Sequence, residues 1–236
     1  MEETGKQIGN RVEDVATWYF RLNGFFIIPS YIIHKDRRAE TPRTEADIIG
    51  VRFRHSVEYI GNRVLKDDPV ILNSGKVNGV MKNLFALVEV KAGICAINGP
   101  WSNPTEKNIN RALGRMGIFE KTQIESVSDT LYNNYRWEDA QNVIQYFCIG
   151  NETDPTLDNR GRIVQITYRN IADFLYLRFL NFPEKIPIRL AVDLQWPGFG
   201  HDFAYWFDGR RNSISQDKNM CYKAIRSFIK TGSLYQ

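Results

Sequence analysis

The chain has 236 residues and a mass of 27.4 kDa. Hydrophobic residues make up 43% and charged residues 25%, which excludes a disordered or low-complexity chain, since such chains lack the apolar surface to offset their ordering entropy. Net charge is +4, and the last 30 residues hold six basic side chains against two acidic ones; the whole excess therefore lies there, permitting a polyanionic partner without requiring one.

At about 150 residues per domain the length suits one large domain or two small ones. The first predicted element is a helix over residues 6–23, from apolar Ile8, Val12, Val15, Ala16, Tyr19 and Leu22 at helical spacing. Asn23-Gly24 ends it. Phe25 to His34 reads as a strand, with Pro29 favouring an edge position. After the charged segment KDRRAETPRTE, Ala46 to Phe53 reads as a second strand. Residues 61–83 read as a loop with one helix, and Leu84 to Ala92 as the most strongly apolar strand. A helix is predicted from Thr105 to Gly117 and another over 123–134. Then come a strand from Val143 to Gly150, a surface loop, a short strand near Ile163, a helix from Asn170 to Asn181, strands over Pro187–Trp196 and Phe203–Phe207, and a final helix from Asp217 to Thr231. Alternating strands and helices give an α/β or α+β class, a mixed central sheet flanked by helices, with no linker dividing the chain.

No apolar run reaches the roughly 20 residues that span a bilayer. The N-terminal MEETGKQIGNRVED has no signal-peptide core. The expectation is a cytoplasmic protein with no membrane partner. Cys95, Cys148 and Cys221 lie far apart without zinc spacing, so buried reduced thiols are expected. No P-loop, dinucleotide fingerprint or nucleophile-elbow motif occurs.

Chemistry concentrates in LFALVEVKA. Glu89 and Lys91 stand two apart, so a strand projects both from one face. Their neighbours are apolar, and buried charges are costly unless paired, hydrogen-bonded or bound to metal. Asp47 is a lone acid in a second apolar strand. Two acids on neighbouring strands repel unless a cation lies between them, and hard oxygen ligands suit Mg²⁺. Glu45 would share the face of Asp47 as a competing ligand, but reads first as a solvated strand-end charge. On the helical wheel Glu13 flanks the core stripe beside Ala16 and Phe20, whereas Asp14 falls on the polar side with Trp18 and Arg21. Lys107, Arg111 and Arg115 share one helix face as candidate phosphate contacts of a nucleic acid. Arg37, Arg38 and Arg43 lead into the Asp47 strand as candidate phosphate contacts, and Arg210 and Arg211 fall in another predicted loop. Trp101 reads as a packing residue rather than a base-stacking one, and His201 as structural.

The order of these pieces resembles the PD-(D/E)XK nuclease superfamily, nearest to archaeal Holliday-junction resolvases and Mrr-type restriction enzymes. The Glu13 helix, NGFFIIPS, ADIIGV and ALVEVKAG follow in sequence, covering residues 8–93. Ala46 stands where the pattern has Pro. The resemblance implies a restriction-endonuclease-like sheet, a nuclease core over residues 1–120 and a C-terminal elaboration over 121–236. It implies Glu13, Asp47, Glu89 and Lys91 as catalytic residues. Asp47, Glu89 and the Val90 carbonyl would hold Mg²⁺, with Mn²⁺ able to substitute. The partner would be DNA and a homodimer is compatible. The alternative is a non-catalytic nucleic-acid-binding or structural protein on the same scaffold.

Overall fold

Segments rich in Ile, Val and Phe pair into a six-stranded mixed sheet in the computed structural model of this chain. The structure describes residues 5–34, 44–158, 163–181 and 196–234.

Helix α1 (Gly5–Leu22) buries Val12, Val15, Ala16, Tyr19 and Leu22, as its periodicity predicts. Gly24 takes a positive φ of 78°, ending the helix cheaply. Strand β1 (Phe26–Ile33) pairs antiparallel with β2 (Thr44–Arg52) and forms one edge of the sheet, as Pro29 suggests. Residues 58–83 hold more order than the predicted loop with one helix. They form a hairpin of β3 (Glu58–Ile60) and β4 (Arg63–Leu65), helix α2 (Pro69–Ser74), and a short hairpin of β5 (Lys76–Val77) and β6 (Val80–Met81). Strand β7 (Asn83–Val90) lies between β2, antiparallel, and the later β9, parallel.

A short helix α3 (Gly99–Ser102) precedes α4 (Asn108–Met116). The single helix expected from Thr105 is split: Pro104–Glu106 form a 3₁₀ turn, and Lys107 sits at a left-handed φ of 52°. Helix α5 (Lys121–Asn134) starts at a capping box of Glu120 and Gln123. Strands β8 (Arg136–Glu138) and β9 (Asn142–Gly150) pair antiparallel. A turn of helix α6 (Pro155–Asp158) leads to β10 (Val164–Thr167), parallel to β9, and helix α7 (Tyr168–Leu180). The strand expected at Pro187–Trp196 lies outside the described residues, except for Trp196 itself.

The expected strand at Phe203–Phe207 is instead part of helix α8 (Phe199–Asp208). Phe199, Phe203, Ala204, Trp206 and Phe207 are buried at helical spacing, and a helix meets that requirement where a short strand would expose alternate rings. Helices α9 (Arg211–Gln216) and α10 (Asn219–Thr231) follow. Arg211 therefore lies in a helix, where it donates to the carbonyl of Phe179 at 3.3 Å.

The sheet divides two cores. One combines α1, α7, α8 and α10 with Ile48, Val88 and Phe147. The other combines α4 and α5 with Ile49, Leu87, Ile144 and Trp101. Strand β9 comes from the predicted C-terminal elaboration yet runs beside β7 along its whole length, so both segments build one sheet. All three cysteines are buried thiols. No helix among the described residues is long and apolar enough to cross a membrane.

Candidate active site

The site forms where β2 and β7 part. Their pairing runs from Arg52↔Leu84 to Ile48↔Val88, and the next residues in that antiparallel count are Asp47 and Glu89. The β1–β2 register, with Pro29 facing Ile48 and Tyr31 facing Ala46, brings Ser30 opposite Asp47 from the other side. Three strands therefore deliver Ser30, Asp47 and Glu89 along one row. Helix α1 packs over this end of the sheet and brings in Glu13.

Asp47 Oδ2 accepts the Val90 backbone N–H at 2.6 Å. Thus the carboxylate takes a strand hydrogen bond one step beyond the end of the β2–β7 ladder. Glu89 is only 2% exposed, and Lys91 Nζ lies 2.6 Å from its Oε1. Lys91 Nζ also donates to Asn98 Oδ1 at 2.8 Å. Its backbone is held by its own N–H to the Ile149 carbonyl at 2.8 Å, and by the Tyr168 hydroxyl donating to its carbonyl at 2.7 Å. Glu13 Oε2 accepts from the Ser30 hydroxyl at 3.2 Å. Ser30 adopts a left-handed φ of 47°, an unusual backbone state for a residue with a side chain.

Carboxylate oxygens of Glu13, Glu45 and Asp47 lie within 4.8 Å of one another. Burial, and then the Asp47 charge, push the Glu13 carboxyl from its ordinary 4.5 up to about 7. The same two causes push Glu89 up to about 7, opposed by Lys91. Asp47 is also raised by burial, opposed by the Val90 N–H and Lys91. Crowded, half-desolvated acids are what a hard cation relieves. The donor set is all oxygen and suits Mg²⁺ or Mn²⁺.

The structure brings together Glu13, Asp47, Glu89 and Lys91. It adds Glu45 to the acids with converging oxygens, although that residue is exposed and reads first as a solvated charge. Its spacing of two from Asp47 is the signal that marks it. Glu89 stands beside this group with one oxygen engaged by Lys91. Val90 enters through its amide N–H. Ser30, Asn98 and Tyr168 carry no sequence signal: each reaches the site through a single hydrogen bond, Tyr168 from a distant segment and Asn98 from just beyond β7.

The other candidates lie apart. Arg37, Arg38 and Arg43 are outside the described residues. Lys107 pairs with Glu125 at 3.3 Å, Arg111 donates to the Glu106 carbonyl at 2.7 Å, and Arg115 lies over the Tyr31 ring. They belong with the core of α4 and α5, on the other side of the sheet from helix α1. Trp101 is buried, its Nε1–H donating to the Glu45 carbonyl at 3.1 Å, so it braces the start of β2. His201 is partly exposed beside Asp202 and the Tyr205 ring.

Asp14 corrects the helical wheel. Its face of α1, read as polar, is covered by α8. Asp14 Oδ2 accepts the Phe199 N–H at 2.9 Å, and Trp18 is buried with its ring against Gly200, leaving no room for a β-carbon there. No family model, curated protein or solved structure matches the chain.

Proposed function

We propose that this protein is a Mg²⁺-dependent DNA endonuclease of the PD-(D/E)XK kind. The observation that carries the reading is the meeting, at one end of the sheet, of three acids with converging oxygens and the pair of buried Glu89 with half-buried Lys91. Asp47, Glu13 and Glu45 supply oxygens for the cation, with Glu89 and the Val90 carbonyl as further donors. When bound there, Mg²⁺ would supply Lewis acidity, lowering the pKa of water and offsetting phosphate charge. Lys91, steadied by Glu89 and Asn98, directs its ammonium N–H groups at the attacking water or at the oxygens gaining charge in the transition state. Water adds to phosphorus, the bond to the 3′ oxygen breaks, and a 5′-phosphate and a 3′-hydroxyl remain.

The second reading is a non-catalytic scaffold in which Glu89 and Lys91 are only a buried ion pair; their 2.6 Å contact favours it. Incubating labelled duplex, single-stranded and four-way-junction DNA with Mg²⁺ or Mn²⁺ separates the two. Wild type is run beside Glu89→Ala and Lys91→Ala. Cutting by wild type alone is expected. No cutting on any substrate by folded protein overturns the endonuclease reading, and equal cutting by all three removes the assigned centre.

A further inference from the structure

The excess positive charge of this chain lies in its last 30 residues, and the fold carries part of it to the Lys91 end of the sheet. Helix α10 runs beside α1, with Arg11 donating to the Ile229 carbonyl at 3.3 Å. Between them opens a groove of about 730 Å³. Ile8 and Ala92 give it an apolar floor, with Tyr222 alongside, while Lys223, Arg226 and Lys230 bring three cations to it. Ala92 directly follows Lys91, and Ile8 lies on the helix that bears Glu13, so the groove and the candidate active site share helix α1 and the segment leaving β7.

The wall is built. Arg226 and the Tyr222 hydroxyl both hydrogen-bond Asn151 Oδ1, and Arg169 stacks on the Tyr222 ring with its guanidinium carbon 3.9 Å from the centroid. Asn151 is itself tied to the Gly93 carbonyl at 2.6 Å. Thus the basic helix is linked to the segment that follows Lys91. The three cations recur at steps of three and four on one helical face. From Lys223 to Lys230 they cover about 10 Å of helix axis, about the rise of three nucleotides along one DNA strand. The counter-charge is slight: Lys223 meets Asp217 at 4.0 Å, with both side chains largely in solvent. An apolar floor under a cationic rim matches a backbone whose sugars are apolar and whose phosphates are anionic.

We infer that this groove, formed by Ile8, Ala92, Tyr222, Lys223, Arg226 and Lys230, seats the sugar-phosphate backbone of duplex DNA and leads it to the Lys91 centre. The inference rests on the endonuclease reading and specifies where its substrate lies. The cations offset the repulsion that clustered acids exert on an approaching phosphate, and they act on every sequence alike.

The test is fluorescence anisotropy of a labelled duplex with the full chain, in Ca²⁺ and in metal-free buffer, over a range of salt. Lys223→Gln/Lys230→Gln should bind about tenfold more weakly, with a plot of log affinity against log salt shallower by about 2. Both lysines are largely exposed, and circular dichroism checks that the variant is folded. Lys107→Gln, at the residue preceding α4, should match wild type. Unchanged affinity and slope in the double variant overturns the groove. Tighter capture of RNA or of phosphatidylserine vesicles than of duplex, lost in the same variant, overturns DNA as its occupant. The two readings fail separately. Duplex bound through Lys223 and Lys230 yet never cut with Mg²⁺ or Mn²⁺ removes the endonuclease and keeps the groove. Normal cutting and binding by the double variant does the reverse.

Discussion

Asp47 Oδ2 sits 2.6 Å from the Val90 backbone nitrogen, accepting its N–H just beyond the last β2–β7 pair. One oxygen of this acid is therefore structural, and the carboxylate is fixed before any ligand arrives. Asp47→Asn can keep the acceptor and lose the charge. It should fold with wild-type stability or better and lose its thermal shift with Mg²⁺. Asp47→Ala orphans a buried N–H and should cost about 1–3 kcal/mol, measured by urea denaturation. Equal stability of the two variants would remove the structural half of the claim.

Protons would compete with the proposed cation for the same carboxylates. Glu13 and Glu89 titrate at about 7 when folded, above the ordinary 4.5. The folded state thus holds these protons more tightly. Their contribution to stability is full below about pH 4.5 and is lost as pH rises through about 7. The metal-free protein should therefore melt at lower temperature at pH 8 than at pH 6. Added Mg²⁺ should raise the melting temperature more at pH 8, where no proton must leave. Chelator should abolish the gain. A Mg²⁺ shift that is equal at both pH values contradicts the shared site.

Ser30 combines a left-handed backbone with a hydrogen bond to Glu13. Two substitutions separate these roles. Ser30→Ala keeps the strain and loses the hydroxyl that lowers the Glu13 pKa, so the acid limb of the cleavage profile should move to higher pH. Ser30→Gly loses the same hydroxyl and relieves the strain. It should be about 1 kcal/mol more stable than Ser30→Ala, with the same pH profile. Differing profiles would detach Ser30 from Glu13.

Gly150 marks a close approach of backbones. A β-carbon there would lie 2.8 Å from the Gly93 carbonyl oxygen and 2.9 Å from the Cys95 nitrogen, and neither can swing aside. Gly150→Ala should cost about 1–3 kcal/mol and reduce cleavage, because the displaced segment joins Lys91 to Asn98. Gly9→Ala, where a β-carbon meets open space, should be neutral or slightly stabilising. Denaturation midpoints and cleavage rates of the two variants check both statements.

Much of the site is legible because strand periodicity states which residues share a face. Glu89 and Lys91 stand out as charges in an apolar run, and Asp47 likewise. Glu13 follows from the helical wheel. The failures share one cause, which is that local pattern does not say how many partners an element has. Helix α1 reads as having one buried stripe, yet α8 covers a second, so Asp14 and Trp18 look solvated in sequence and are packed in the fold. The five residues from Phe203 to Phe207 are too short to separate strand from helix; Phe199, one helical turn upstream, decides it. Ser30 and Asn98 serve through single hydrogen bonds, which leave no periodic trace.

Helix α1 is synthesised early and covered late. Asp14 and the Phe199 nitrogen it caps are 185 residues apart in the chain, an interval of roughly 10–40 s of translation. Until α8 has emerged, the Trp18 face of α1 lacks that cover, while its sheet side already has β1, β2 and β7 to pack on. A ribosome-bound fragment ending before Phe199 holds Glu13, Glu45, Asp47 and Glu89 but lacks the Asp14–Phe199 contact. Asp14 and Trp18 thus tie the helix that bears Glu13 to a far segment of the chain, and loosening α8 would loosen one wall of the candidate site.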